Sequence, residues 1–420
     1  MLKRVLWISS VLVIVLGAAG CIPLDIAPTG MVTLHDPAFE SHQVSIAVDL
    51  QGVKHTFHTE CALIPPGQRC RAIYSKFSVG QPVNTHVYYD NDFCHEIDPD
   101  IAVLDSGVAF FVWNEYYYQG PEYPENAGKY PVVYYSDSEH YLQAPTPLFD
   151  VGEYASVSPP VIAARGEVAY IVYEVSAPGE GPATYLRYQQ VAGGHRSGWV
   201  SDILPGEFIR TEPALAIDNA GNLHVAYRVH LLDDPTEVAS GIWHNDNVGD
   251  ETDMTNLSSV WGAFYLGAPA ISLNVEGDYL YFALTQNHTD SGTVRIYFCP
   301  PDDCQPGPLM GHVAVDLSAS ANWKIPGPLS LAPLLDRVAL AFTAVNDATG
   351  PTPDIFYATY AAGGASPAAA NLSNSPTLET DARMVAAVDD EGRVLPLVGY
   401  RLSDGLGGYG TVSIHPFLSS

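Results

Sequence analysis

Positive charge is what the chain has least of. Eighteen Lys and Arg stand against 47 Asp and Glu in 420 residues, a formal net charge of −29. Such a surface repels phosphate backbones and anionic headgroups at long range, which argues against nucleic acid as a partner. Cysteine is scarce as well, with six in the chain. No His and Cys spacing matches a structural zinc site, and no Asp-x-Asp-x-Asp-Gly loop marks a calcium site, so no metal is expected from motif alone. The N-terminal apolar run, Val5 to Leu16, is too short to cross a bilayer as a mature helix.

That run nevertheless has an address. Lys3 and Arg4 precede it and Gly17-Ala18-Ala19-Gly20 follow it, the three parts of a signal peptide over residues 1–20. Ala18-Ala19-Gly20-Cys21 resembles the lipobox of bacterial lipoproteins, with Ala18 where that family prefers Leu. The resemblance implies an acylated Cys21 as the mature N-terminus, a membrane contact through the lipid, and a place on the extracytoplasmic side of the cell envelope. Residues 21–30 contain Pro23 and Pro28 and no periodicity, and read as a short tether.

What the chain has in abundance is one pattern. From Glu212 to Tyr227, Leu215 and Ile217 alternate with Ala214 and Ala216, Asp218 to Gly221 supply a tight turn, and Leu223, Val225 and Tyr227 resume the alternation. Copies recur at Val44–Phe57, Pro99–Trp113, Pro160–Tyr173, Pro269–Ala283, Pro328–Phe342 and Arg383–Leu395. The turn glycines Gly52, Gly107, Gly166, Gly221 and Gly277 are spaced by 55, 59, 55 and 56 residues. A period of that length, with two strands in the pattern and room for two more, predicts an all-β fold: a seven-bladed β-propeller of four-stranded blades, six blades being the alternative, as a single domain over residues 31–420. Third strands fall near residues 71–74, 131–135, 184–188, 294–298 and 354–360, and weaker fourth strands around Trp199, Trp261 and Trp323. The C-terminal blade lacks one strand, and Met31 to Leu34 is expected to supply it and close the ring.

Five cysteines remain after Cys21. In an exported chain these are expected in disulfides, with Cys61 paired to Cys70, Cys299 to Cys304, and Cys94 left over. His55 and His224 share one slot of the repeat, which suits hydrogen bonding within the fold better than metal ligation.

The chemistry is expected where chain enters each first strand and leaves each second one, since these ends lie on one face. They hold His42, His95, Glu96, Asp98, Glu212 and Asp381 on entry, and His58, Glu60, Asn114, Glu115, Glu174, Arg228, His230, Asn287, His288, Asp347, Arg401 and Asp404 on exit, with Tyr117 in an aromatic run. Two functions fit. Glu115 and Glu174 could serve as acid and base on a glycosidic bond. The same rim, through Arg228, Arg401, Glu212, His230 and Tyr117, could hold a glycan or protein ligand without reaction, and its oxygens would suit Ca²⁺.

The repeated Pro-Ala-Ile-Ala-Val-Asp-x-x-Gly-x-x-His-Val-Ala-Tyr pattern resembles the repeats of sialidase-like bacterial propellers over nearly the whole mature chain. That resemblance implies blade packing and not activity, because the Ser-x-Asp-x-Gly-x-x-Trp box and the Arg-Ile-Pro motif are missing. The expectation is therefore a lipid-anchored propeller that binds a ligand or protein partner non-catalytically, with a glycan-active hydrolase or lyase as the alternative.

Overall fold

The computed structural model describes residues 24–26, 32–34, 40–64, 67–77, 84–88, 94–117, 132–149, 156–176, 184–200, 208–231, 241–246, 255–256, 265–266, 268–288, 291–301, 310–316, 323–324, 329–346, 353–362, 369–372, 378–388, 394–403 and 411–416. Their regular structure is β-strand throughout.

Strands that follow one another in sequence pair antiparallel. Val161–Arg165, Val168–Ser176, Tyr185–Ala192 and Ser197–Trp199 form one up-and-down sheet, and Phe208–Ile217, Leu223–Leu231, Gly241–Asp246 and Thr255–Asn256 the next. The sheets from Ala270–Leu273 and from Leu329–Pro333 repeat the plan. Glu40–Val48, Lys54–Ile64, Gly67–Phe77 and Asn84–Tyr88 join the following group, Cys94–Val103 to Thr146–Pro147, only through a parallel pairing of Cys70 with His95. The C-terminal group, Leu378–Val388, Val394–Ser403 and Thr411–Pro416, is extended by Val32–Leu34, which pairs with Thr411–Pro416. Leu24–Ile26, inside the segment expected as a tether, adds a further strand against Val32–Leu34.

The first strands touch in cyclic order. Glu40–Val48 contacts Cys94–Val103, which contacts Val161–Arg165, and so on through Phe208–Ile217, Ala270–Leu273 and Leu329–Pro333 to Leu378–Val388, which contacts Glu40–Val48 again. The core lies between sheets. Along Val168–Ser176, Ile171, Tyr173 and Val175 pack toward Phe110 and Val112, while Tyr170 and Val172 pack toward Val225 and Tyr227. Burial on both faces explains why the second strands read as continuous apolar runs.

The expected third strands are in place. Trp199 ends a fourth strand, but Trp323–Lys324 pairs with Arg337–Asn346, the second strand of the following group, so the expectation of a fourth strand at Trp323 is corrected. A tryptophan before a hydrophobic segment marks burial without saying which neighbour it pairs with. Trp261 lies outside the described residues.

The turn chemistry is explicit. Asp218 Oδ1 accepts from the amides of Ala220 and Asn222, both at 2.8 Å, and Gly221 closes the turn at φ 85°. Only glycine adopts that conformation without a steric penalty. Neighbouring turns also touch each other: the Asp105 amide donates to Gly166 O, Arg165 Nε donates to Asn219 Oδ1 at 2.8 Å and its Nη2 to Val275 O at 3.1 Å, and Val275 N donates to Leu334 O.

Cys61 and Cys70 are disulfide-bonded across their hairpin. Cys299 is also disulfide-bonded; Cys304, its expected partner, lies outside the described residues, as do Cys21 and the Cys94 side chain.

Candidate functional site

Opposite the glycine turns, the first strands break their register at corresponding places, between Ser41 and Val44, Ile97 and Asp100, Thr211 and Ala214, and Thr380 and Arg383. Bulges of this kind re-aim the side chains they carry. Two of them hold an acidic residue before a proline, Asp98 before Pro99 and Glu212 before Pro213, at φ 56° and 54°. For a residue with a Cβ this conformation costs about 1–2 kcal/mol, and the residue before proline otherwise favours extended backbone.

The strained residues belong to a polar row that runs through four successive groups of strands. Gln43 Nε2 donates to Asp98 Oδ1 at 2.7 Å and Gln43 Oε1 accepts from the Asp98 amide at 2.7 Å. Asn114 Nδ2 donates to Asp98 Oδ2 at 3.2 Å and to Ser158 O at 3.1 Å. Ser158 N donates to Glu174 O, and Glu174 is surrounded by the hydroxyls of Ser158, Thr211 and Thr184. Glu212 follows Thr211, and its Oε2 lies 3.1 Å from Arg228 Nη1.

Strand alternation decides who joins this row. Asn114, Glu174 and Arg228 each lie two residues beyond Val112, Val172 and Ala226, which pair with Asp100, Val161 and Ala214 of the first strands, and so each shares a face with that residue. Glu115 is one residue further and departs from the opposite face, the one on which Trp113 packs toward Phe57. Glu115 and Glu174, the expected acid and base, thus leave their strands on opposite faces, and the carboxylate that acts on Glu174 is that of Glu212. Glu115 is buried. The side chains of Tyr117, His230 and Arg401 lie outside the described residues.

Burial, the largest effect, raises the Glu174 carboxyl above the ordinary range, and the Glu212 carboxylate pushes the same way against the nearby hydroxyls. Two residues past Asp98, Asp100 accepts from Ser45 Oγ at 2.5 Å and from the Ile162 amide at 2.9 Å; burial raises it while the Arg383 charge opposes. In the first sheet Arg71 Nη2 and Glu60 Oε2 form a buried ion pair at 3.0 Å, with His58 Nε2 at 3.3 Å from Glu60 Oε1. On an exposed turn, Asp137, Glu139 and His140 can bring one ligand atom each within 4.8 Å of one another.

Sequence reasoning missed Gln43, Ser158, Thr184 and Thr211. The available signal was the count of two residues past the last inward-packing apolar residue, which selects Asn114, Glu174 and Arg228 and hence their neighbours.

No protein-family model matches the chain, and no curated protein matches it. Solved structures do. A protein of unknown function from Dyadobacter fermentans DSM 18053 superposes with a TM-score of 0.50 at 11% identity, over 90% of this chain and 95% of that one. The α-L-arabinanase of Penicillium chrysogenum complexed with arabinobiose gives 0.50 at 9% identity, over 90% and 97%. The chain has a β-propeller-like fold. At such identities the likeness of this propeller-like chain to its neighbours extends to the fold alone. The α-L-arabinofuranosidase Arb93A from Fusarium graminearum superposes at 0.49 with 11% identity, over 94% and 96%.

Proposed function

We propose that this protein is a seven-bladed propeller over residues 31–420, its ring closed by Val32–Leu34 against Thr411–Pro416. A signal peptide over residues 1–20 and a lipid on Cys21 would hold it on the extracytoplasmic side of a cell envelope. The polar row face would then bind a hydroxyl-rich ligand, a glycan above all, without converting it.

The observation that carries this reading is the pair of strained acidic residues, Asp98 and Glu212, held at corresponding bulges of one row. Backbone strain persists where the surroundings impose it, and it concentrates at binding and catalytic sites. The row alternates acceptors, Asp98 and Glu212, with donors, Asn114 and Arg228. Sugar hydroxyls both donate and accept, so this alternation suits them, whereas the net charge of −29 disfavours polyanions. The test is a glycan array probed with the full-length protein in detergent, with arabinobiose among the probes because a fold neighbour holds it. Binding reduced at least about tenfold by Glu212→Ala or Arg228→Ala is expected, the loss of one charge-assisted contact. An array on which wild type and both variants bind alike overturns the reading.

A catalytic reading has one observation in its favour: a carboxyl raised by burial, Glu174, beside a second carboxylate, Glu212. Turnover of chromogenic glycosides that disappears in Glu174→Gln would establish it.

A further inference from the structure

Three buried oxygens lie along the row: Asn114 Oδ1 has no hydrogen-bond partner, and Ser158 Oγ and Glu174 Oε2 make no well-formed hydrogen bond, the Ser158 hydroxyl lying against the Glu174 carboxyl. Buried polar atoms are paired as a rule, because a lone one keeps its full desolvation penalty. The three sit together. Asn114 and Ser158 are joined by the 3.1 Å bond from Nδ2 to Ser158 O, and Ser158 is one of the hydroxyls against Glu174. The Asn114 amide is oriented by its two acceptors, Asp98 Oδ2 and Ser158 O, which hold the nitrogen and leave the buried oxygen unpartnered.

The shared chemistry is that of oxygen acceptors. An ionised carboxylate and an amide oxygen only accept, and a hydroxyl oxygen can turn its lone pairs to the same point. Arg228, the guanidinium of the row, is engaged by Glu212. Asp98 adds a second carboxylate one residue away in the row.

We infer that Asn114 Oδ1, Ser158 Oγ and Glu174 Oε2 form the protein side of a site for a hard, oxygen-seeking cation of the Ca²⁺ class, set beneath the polar row. Ca²⁺ accepts carboxylate, amide and hydroxyl oxygens together in irregular geometry, and it completes its shell with water. The ion neutralises Glu174 and keeps it ionised, which is the opposite of proton donation. The inference stands independently of glycan binding, since the ion needs no glycan.

The test uses full-length protein in detergent, stripped with chelator and titrated with Ca²⁺, while thermal unfolding and Tb³⁺ luminescence are followed. A saturable rise in Tm is expected, because a ligand that binds only the folded state raises its stability. Glu174→Gln should abolish the rise, Ser158→Ala should weaken the apparent affinity about tenfold, and Glu139→Gln, in the exposed Asp137, Glu139 and His140 turn, should leave it unchanged. No rise in the wild type overturns the inference. So does a rise that survives Glu174→Gln or vanishes in Glu139→Gln. If Glu174→Gln does not fold, Ser158→Ala decides: an unchanged affinity there overturns the site. Failure on the glycan array with a retained Ca²⁺ response would reject the ligand and not the ion.

Discussion

Asp218 Oδ2 lies 3.4 Å from His224 Nε2, and Asp49 Oδ2 lies the same distance from His55 Nε2 in an earlier copy of the repeat. In both, the aspartate also accepts two backbone amides of its own turn, so one side chain fixes the turn and orients the imidazole. The histidine belongs to the hairpin's architecture.

A pH dependence follows. Burial above all pushes His55 down to about 4, against the hydrogen bond to Asp49. The unfolded chain therefore binds a proton between pH 6.5 and about 4 that the folded chain refuses. Stability from this source is complete above pH 6.5 and declines by about 3 kcal/mol as pH falls to 4. Urea midpoints measured from pH 7 to pH 4.5 should fall less steeply in His55→Gln than in the wild type; equal slopes would refute the assignment.

The turn glycines differ in what a methyl group would meet. At Gly221 a Cβ finds only Val168 Cγ2 at 3.9 Å, so Gly221→Ala should cost about 1 kcal/mol of backbone strain. At Gly277 it meets the Asn219 side chain, which donates to Glu276 O and holds Arg165. Gly277→Ala should destabilise by more, and denaturant titration of the two variants would rank them.

Arg228 and Glu212 form a partly exposed pair, with 40% of the Glu212 side chain accessible. Such a pair contributes less than about 1 kcal/mol to folding. Arg228→Ala should therefore leave the urea midpoint almost unmoved while weakening ligand capture, and a large loss of stability would show that the pair is structural instead.

Reduction of the first sheet's disulfide offers another check. Cys61 and Cys70 close a short hairpin beside the buried Arg71 and Glu60 pair. Replacing both by alanine should lower stability by about 2–3 kcal/mol on loop entropy alone. The expected readout is a lower Tm in the double variant, with dithiothreitol lowering the variant's Tm by less than the wild type's, since only the disulfide at Cys299 is left to reduce.

The repeat was legible because its determinants are local. Gly52, Gly107, Gly166, Gly221 and Gly277 all adopt positive φ, as a periodic turn requires. The Asn114 and Glu115 choice was harder, since a one-residue slip sends a side chain to the other face of the sheet and the bulge that sets the register lies on the partner strand. Ser158 was hidden for another reason: it contributes its backbone carbonyl to Asn114 from the following sheet, and no spacing within either strand encodes that contact.

The pairing of Val32 with Ile414 unites residues far apart in the sequence. Val32–Leu34 cannot pair until Thr411–Pro416 is present, so among the described pairings this one has the longest loop to close. Removing residues 411–420 would take away Thr411–Pro416 and expose the edges of both Val32–Leu34 and Val394–Ser403 at once, leaving backbone able to add strands from other molecules.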